Sequence, residues 1–397
     1  MTKIEKLVGK FCPSGVEFRT LMDVAEYVRG VTYGKGDETN GAEGTKILRA
    51  NNITLETNQL NFNDVKIISP RVKIKNTQFL KKDDIFICAA SGSKEHVGKI
   101  AYITEDMLFA FGGFMAVIRA KPDVLPRFLY HLLIGNTFAD YLKNTLTTST
   151  INNLNSSIVN NFKIPIPPIE VQREIVKVLD NFAELTAELT AELTAELTAR
   201  ERQYKHYRKD LITHGDEVHV RLGDIVNLHR GVRVVKKQLT KNGQYPVYQN
   251  SMKPMGYYDK SNCKAGKTFI ITAGSAGEIG YSDVDFWFAD DCFVFKCPEN
   301  LLDRFLYYAL LCQQEILLSQ VRKASVPRLS RSAIENLIIP VPSIVEQQRI
   351  VNLLDKFYLI VNDLTDGLPA EIDARRKQYE YYRDKLLTFK QIEEVSS

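Results

Sequence analysis

The sequence predicts an α+β fold: two mixed α/β globular domains separated by two long helices packed as an antiparallel coiled coil, with an internal pseudo-two-fold duplication. Three observations predict it. A segment near the middle of the chain recurs near its end. Both copies carry apolar residues at helical spacing. The segments preceding the two copies also share short motifs.

The repeat comes first because self-similarity decides the architecture. Residues Ile164–Phe182 read IPIPPIEVQREIVKVLDNF, and Ile339–Phe357 read IPVPSIVEQQRIVNLLDKF, an offset of 175. The same offset, without a gap, sets Ala199–Arg208 (ARERQYKHYR) against Ala374–Arg383 (ARRKQYEYYR). It also matches Leu211 to Leu386 and Thr213 to Thr388, and it reaches back to Leu154 and Leu329.

Each copy opens on prolines (Pro165, Pro167 and Pro168; Pro340 and Pro342), which favour an extended entry. Ile175, Leu179 and Phe182 then fall at i, i+4, i+7, and Ile350, Leu354 and Phe357 repeat the pattern. Ser343 stands three residues before Glu346, a capping-box signature. Tyr204, Tyr207 and Leu211 share one face near the end of the first copy, as do Tyr379, Tyr382 and Leu386 in the second. A helix over 169–212 would be roughly 65 Å long and act as a strut.

Its centre, Ala183–Thr198, is four copies of AELT, rich in strong helix formers. Leu185, Leu189, Leu193 and Leu197 form a spacer stripe that drifts roughly 40° per repeat. The second copy lacks AELT and contains Gly367 and Pro369, so a break or kink is expected near 366–369. Two striped helices in one chain most simply pack on each other. On periodicity alone, a coiled coil that only dimerises the protein is the lesser alternative.

These boundaries give residues 1–163 as the first globular domain and 164–213 as the first repeated helix with its spacer. Residues 214–338 are then the second domain, and 339–397 the second helix and tail. Leu21–Val24 (LMDV) and Arg29–Gly30 resemble Leu222–Ile225 (LGDI) and Arg230–Gly231 at offset 201, so the first domain carries 26 extra residues. Asp83–Gly92 with Val97–Tyr102, and Lys267–Gly277 with Ile279–Tyr281, both read as strand, Gly-containing loop, strand. A short amphipathic segment follows in each, Arg127–Tyr130 and Arg304–Tyr307.

The 397 residues are 44% hydrophobic and 25% charged, as in soluble globular protein of two or three domains. A net charge of +4 permits a nucleic-acid partner without requiring one, so any phosphate-binding surface must be local. The six cysteines (Cys12, Cys88, Cys263, Cys292, Cys297, Cys312) form no C-x-x-C pair, which reads as reduced thiols in a cytoplasmic protein without a metal site. Charges in Met1–Lys6 replace the apolar run of a signal peptide, and no stretch of about 18 apolar residues suggests a membrane span.

Motifs for catalysis are incomplete. Ala265–Thr268 (AGKT) resembles the end of a phosphate-binding loop, but Ser261 stands where that loop needs Gly. Ala273–Gly277 (AGSAG) lacks the first Gly of a nucleophile elbow. His214 and His219 are off metal-ligand helical spacing. No catalytic or metal-ligating residue is assigned.

Candidate nucleic-acid contacts are basic and amide-rich loops placed in parallel in the two domains. Arg49, Asn51 and Asn52 precede a predicted strand, and Lys94 and Lys99 bracket the first Gly loop. Asn152 and Asn153 lie in the hydroxyl- and amide-rich run Thr147–Ser156. In the second domain Arg230, Arg233, Lys236 and Lys237 cluster early, and Arg322, Lys323, Arg328 and Arg331 lie in Arg322–Arg331 (RKASVPRLSR). Such side chains bind phosphates, and amides can read adenine edges. Taken singly, each is also an ordinary solvated surface residue.

The IPxPxxxxQxxI helix starts, the QYxxYR helix ends, the AELT spacer and the domain–helix–domain–helix order together resemble the specificity subunits of type I restriction–modification systems. The spacer and Gly367–Pro369 (GLP) resemble the branch called type IC. The resemblance spans essentially the whole chain and implies a non-catalytic subunit that reads double-stranded DNA, each globular domain taking one half of a split target. It further implies two methyltransferase subunits and, for cleavage, two motor-nuclease subunits as partners. S-adenosylmethionine, ATP and Mg would be bound by those partners and no cofactor by this chain. Phe182, Tyr204, Tyr207, Phe357, Tyr379 and Tyr382 would serve helix packing or methyltransferase docking. One AELT unit would correspond to about 6 Å of helix. A coiled-coil adaptor that binds proteins through two heads, and a self-contained restriction enzyme, are the other readings. The first predicts no salt-sensitive DNA affinity, the second DNA modification by the chain alone.

Overall fold

The computed structural model describes residues 3–39, 41, 43–55, 57–92, 96–146, 153–213, 218–240, 243–362 and 367–392. The chain divides into two compact units, Met1–Thr190 with Asp373–Ser397, and Ala191–Ile372. The first globular segment is thus joined by the end of the second helical copy, and the second by the end of the first.

In the first unit, strand Glu17–Thr20 pairs antiparallel with Lys163–Ile166, where the proline-rich entry was expected to be extended. A four-stranded antiparallel sheet has the spatial order Ala25–Arg29, Met115–Ala120, Ile85–Cys88, Ile100–Tyr102. A three-stranded sheet has the order Lys66–Ile68, Thr45–Leu48, Phe109–Phe111, with its last pair parallel. The second unit repeats every pairing. His219–Arg221 pairs with Ile338–Pro340. The four-stranded sheet runs Asn227–Arg230, Cys292–Lys296, Lys267–Ile271, Ile279–Ser282. The three-stranded sheet runs Gly256–Tyr258, Tyr245–Tyr248, Trp287–Phe288, again with a parallel last pair. The duplication therefore extends through both domain interiors.

The recurring motifs have steric and polar reasons. A Cβ on Gly30 would collide with the carbonyl oxygens of Phe111 and Gly112, and one on Gly231 with those of Phe288 and Ala289. Arg–Gly recurs because the first strand of each sheet passes hard against a turn of its neighbour. The glutamine of the helix start is fully buried in both units. Gln172 Oε1 accepts from the Leu125 amide at 2.9 Å, and its Nε2 donates to the carbonyls of Asp123 (3.2 Å) and Pro167 (2.8 Å). Gln347 accepts from Leu302 (2.8 Å) and donates to Asn300 and Pro342 (both 2.8 Å). A buried amide with every bond made pins the helix start to the domain.

About two helical turns further on, Asp180 accepts from Arg127 Nε at 2.8 Å and pairs with His131 Nε2 at 2.8 Å. At the matching place Asp355 accepts from Arg304 Nε at 2.8 Å and from the Tyr308 hydroxyl. Arg127 lies over the Tyr102 and Tyr130 rings, and Arg304 over Tyr281 and Tyr307. Isoleucine and leucine of the apolar stripes complete the two cores. Ile175 and Leu179 pack with Phe128 and Leu129 in one, Ile350 and Leu354 with Phe305 and Leu306 in the other.

The first helical copy is one helix, Ile169–Thr213. The second is two, Ile344–Asn362 and Leu368–Leu386. Pro369 falls in the first turn of the latter, where no amide partner is lost. Residues 363–366 of the expected break lie outside the described residues. In the first unit the Phe182 ring lies 5.8 Å from Tyr379 and 5.7 Å from Tyr382. In the second, Tyr207 stacks 5.7 Å from Phe357 and Tyr204 meets Tyr358 edge-on at 6.5 Å. Phe182 corresponds to Phe357 and Tyr382 to Tyr207, so one aromatic pairing is made twice with the helices exchanging parts. Rising numbers on the first helix meet falling numbers on its partner, the antiparallel arrangement.

The leucine spacer is less buried than an apolar stripe implies. Leu185 is 61% and Leu189 36% exposed, whereas Leu197 packs at the edge of the second core. A four-residue period rotates off the packing face by roughly 40° per repeat. Thr186 and Thr198 turn their hydroxyls back to the carbonyls four residues earlier, at 2.7 and 2.9 Å. No described helix is long and apolar enough to cross a membrane.

Candidate nucleic-acid interface

The loop after strand Ile85–Cys88 fixes the centre of the first unit's candidate site. Ala90 bridges Asn153, and the Leu154 amide donates to the Ala89 carbonyl at 2.7 Å. This brings the amide-rich run to the Gly loop. Arg29, on the first strand of the sheet, donates to the Leu154 carbonyl (3.2 Å) and to Asn153 Oδ1 (3.3 Å). The Tyr27 hydroxyl donates to the same carbonyl at 3.0 Å, and burial pushes its phenol above the ordinary range. A cleft of about 950 Å³ opens here, lined among others by Arg29, Lys35, Arg49, Asn51, His96, Lys99, Phe114 and Asn153.

Four predicted residues, Arg49, Asn51, Lys99 and Asn153, thus line one cleft. Arg49 and Asn51 are both tied to Asp64, at 2.6 and 2.8 Å, which holds them in place and offsets the Arg49 charge. Lys99 reaches the Ile53 carbonyl at 3.4 Å. Asn52 is different. It is fully buried, its Oδ1 accepts from the Arg49 amide (2.8 Å), and its Nδ2 donates to Asn61 (3.0 Å) and Asp64 (3.4 Å) carbonyls. Its amide is consumed in shaping the loop, so it is not a surface reader. Lys94 and Asn152 lie outside the described residues.

In the second unit Arg328 takes the place of Asn153. It bridges Ala273, and the Leu329 amide donates to the Thr272 carbonyl at 2.9 Å. Arg322 and Arg328 exchange backbone bonds at 2.8 and 3.2 Å, forming a small ribbon on which Arg322, Lys323 and Arg328 are exposed. Arg230 Nε donates to the Asp290 carbonyl at 2.9 Å. Arg233, Lys236 and Lys237 are exposed beside a 3-10 turn closed by Gln238, whose Oε1 accepts from the Val235 amide at 2.9 Å. Arg331 pairs with Glu335 at 2.7 Å, one helical turn away, which offsets its charge.

Arg29, Lys35, His96 and Phe114 were not among the predicted contacts. Arg29 carried a signal, as half of a recurring Arg–Gly pair. Its partner 124 residues away is set by the fold and invisible in the sequence. Among the described residues no thiol of either sheet is activated. Burial pushes the Cys88 and Cys263 thiols up to about 11 and Cys292 to about 12, so none is a thiolate near neutrality. Ala273–Gly277 is a turn with Gly274 and Gly277 at positive φ.

A family model described as the type I restriction modification DNA specificity domain matches residues 13–199 and 216–374, once over each half of the chain. The chain belongs to the type I restriction–modification DNA specificity family. A putative type I restriction enzyme specificity subunit of Haemophilus influenzae is 32% identical over 330 residues, covering 74% of this chain and 84% of that one. The specificity subunit of Escherichia coli type I restriction enzyme EcoR124I/EcoR124II is 34% identical over 270 residues, covering 59% of this chain and 65% of its own length. A chain from a solved type I restriction–modification assembly has a TM-score of 0.69 at 18% identity, with 94% of this chain and 98% of the other covered. This specificity chain is therefore the DNA-recognition component of a type I system and not its catalyst.

Proposed function

We propose that the two segments 1–163 and 214–338 each read one half of a bipartite duplex target, and that the repeated helices, 164–213 and 339–397, set the distance between the halves. The observation that carries this reading is the first unit's cleft, where Arg29, Arg49, Lys99 and Asn153 converge on one Gly loop, matched by Arg230, Arg322 and Arg328 around the equivalent loop of the second. Cations in such a face release counterions from DNA phosphates, and the amides and guanidinium groups between them suit base edges. The remaining contact candidates, Arg233, Lys236, Lys237 and Lys323, extend the second face toward the backbone. Two methyltransferase subunits dock on the helices, two motor-nuclease subunits join for cleavage, and S-adenosylmethionine, ATP and Mg are bound by those partners. A double charge reversal, Arg49→Glu with Lys99→Glu, tests the face in the complex with the methyltransferase. Affinity for target duplex should fall, and the slope of log affinity against log salt should flatten by about two units. An unchanged slope refutes the assignment and favours a protein-binding adaptor.

A further inference from the structure

Matching backbone hydrogen bonds put the two candidate faces in register residue by residue. In the first unit the Phe114 carbonyl accepts from the Ala89 amide (2.8 Å), the Ala89 carbonyl from Leu154 (2.7 Å) and the Met115 carbonyl from Gly30 (2.9 Å). In the second, the Asp291 carbonyl accepts from Thr272 (2.7 Å), the Thr272 carbonyl from Leu329 (2.9 Å) and the Cys292 carbonyl from Gly231 (3.1 Å). Asn153 bridges Ala90, and Arg328 bridges Ala273. Phe114 therefore stands where Asp291 stands, and Asn153 where Arg328 stands. One backbone frame presents an apolar ring with an amide in the first unit, and a carboxylate with a guanidinium in the second.

Phe114 and Asp291 are not explained by folding, whereas Asn153 also accepts from Arg29 through Oδ1 and keeps its Nδ2 free of any described partner. Phe114 is 72% exposed on the cleft, contributing nothing to the core. Among the described residues the Asp291 carboxylate has no hydrogen bond or ion pair; its carbonyl accepts from Thr272, the neighbour of the Ala273 that Arg328 bridges, and Arg230 bonds the adjacent Asp290 carbonyl. A carboxylate on a surface that meets phosphates is repelled unless it accepts a base amino group. We propose that these two positions read bases and give the two half-sites different preferences. Phe114 and Asn153 fit an A·T pair: the ring packs on the thymine methyl, and the amide pairs with the adenine edge. Asp291 and Arg328 fit a G·C pair: the guanidinium bonds guanine O6 and N7, and the carboxylate accepts from the cytosine amino group. The inference rests on the reading of these faces as DNA-binding.

The test uses the full chain in complex with its methyltransferase and a pool of random duplexes, sequenced after selection for binding. The wild-type pool should fix an A·T pair in one half-site and a G·C pair in the other. Arg328→Lys, which keeps the charge, should relax the G·C preference at one position of one half-site by roughly ten- to a hundredfold. Phe114→Ser should relax the A·T preference in the other half-site only. Against misfolded variants, modified duplexes probe the wild-type chain directly. Guanine methylated at N7 should block binding at the G·C position, and deoxyuridine for thymidine should weaken binding at the A·T position. Unchanged preference in both variants, or indifference to both modified bases, overturns the proposal. If instead the Arg49 and Lys99 reversal leaves the salt slope unchanged, the DNA-binding reading of the face has failed, not the choice of readers.

Discussion

Buried side chains with complete polar partnerships are where this sequence is least tolerant. Gln172→Leu keeps the volume but strands the Leu125 amide and the Pro167 carbonyl in a dry site. Stranding a buried group costs about 1–3 kcal/mol. The first unit should lose several degrees of melting temperature by calorimetry, and Gln347→Leu should do the same to the second; an unchanged transition in either would show that the glutamines are not anchors. The aspartates about two turns further on predict a difference between the units. Burial holds the His131 imidazole below its usual range despite its bond to Asp180. Asp180 is opposed by burial, yet bonds from His131 and Arg127 hold it below the usual carboxylate range. Both groups bind protons more readily in the unfolded chain, so their contribution is complete above about pH 6.5 and is lost as pH falls. The second unit has Tyr308 in place of His131 and lacks the histidine step. Once corrected for the intrinsic rate at each pH, the protection of amides in Pro126–Leu133 should fall between pH 7 and 5 ahead of that in Asp303–Cys312; an equal fall would contradict the assignment. The motif glutamine was visible in the sequence as a recurring letter. Its burial was not, because its partners come from Asp123–Leu125, far along the chain.

At the level of elements, the helices were legible and their packing less so. Periodicity located the starts, ends and aromatic faces because helical spacing is local. Which aromatic would meet which depended on two segments crossing, and the answer is that the start of each copy packs on the end of the other. The AELT block shows the limit of counting apolar residues. Four-residue spacing reads as a stripe, yet Leu185 and Leu189 are exposed because the stripe winds off the contact. Exposure of these leucines is what the proposed role as a length spacer requires, since that role needs no burial. Removing Thr194–Leu197 should change the preferred separation of the two half-sites and leave both half-sites intact, read by sequencing selected duplexes; an unaltered separation would end the spacer idea.

Over the whole molecule, an internal offset of 175 residues revealed an architecture that the diverged domain interiors concealed. LMDV and LGDI, Arg–Gly, the Gly loops and the RFLY of Arg127–Tyr130 and Arg304–Tyr307 are the short stretches that survived as letters between the two segments, yet every strand pairing is shared. Sheet topology tolerates substitution as long as alternating positions stay apolar, so register persists where identity is lost. The candidate faces were half legible. Cations and amides could be found by type, but their convergence required the fold, and Asn52 showed that a polar residue in the right stretch can be structural. The central claim is that two copies of one frame read two halves of one DNA target. Mapping methylated adenines across the genome of cells that carry this chain with its methyltransferase tests it most directly. The account predicts modification at a split sequence of two unlike half-sites held at one fixed spacing. A continuous recognition sequence, or modification that persists at the same sites when the chain is deleted, would contradict it.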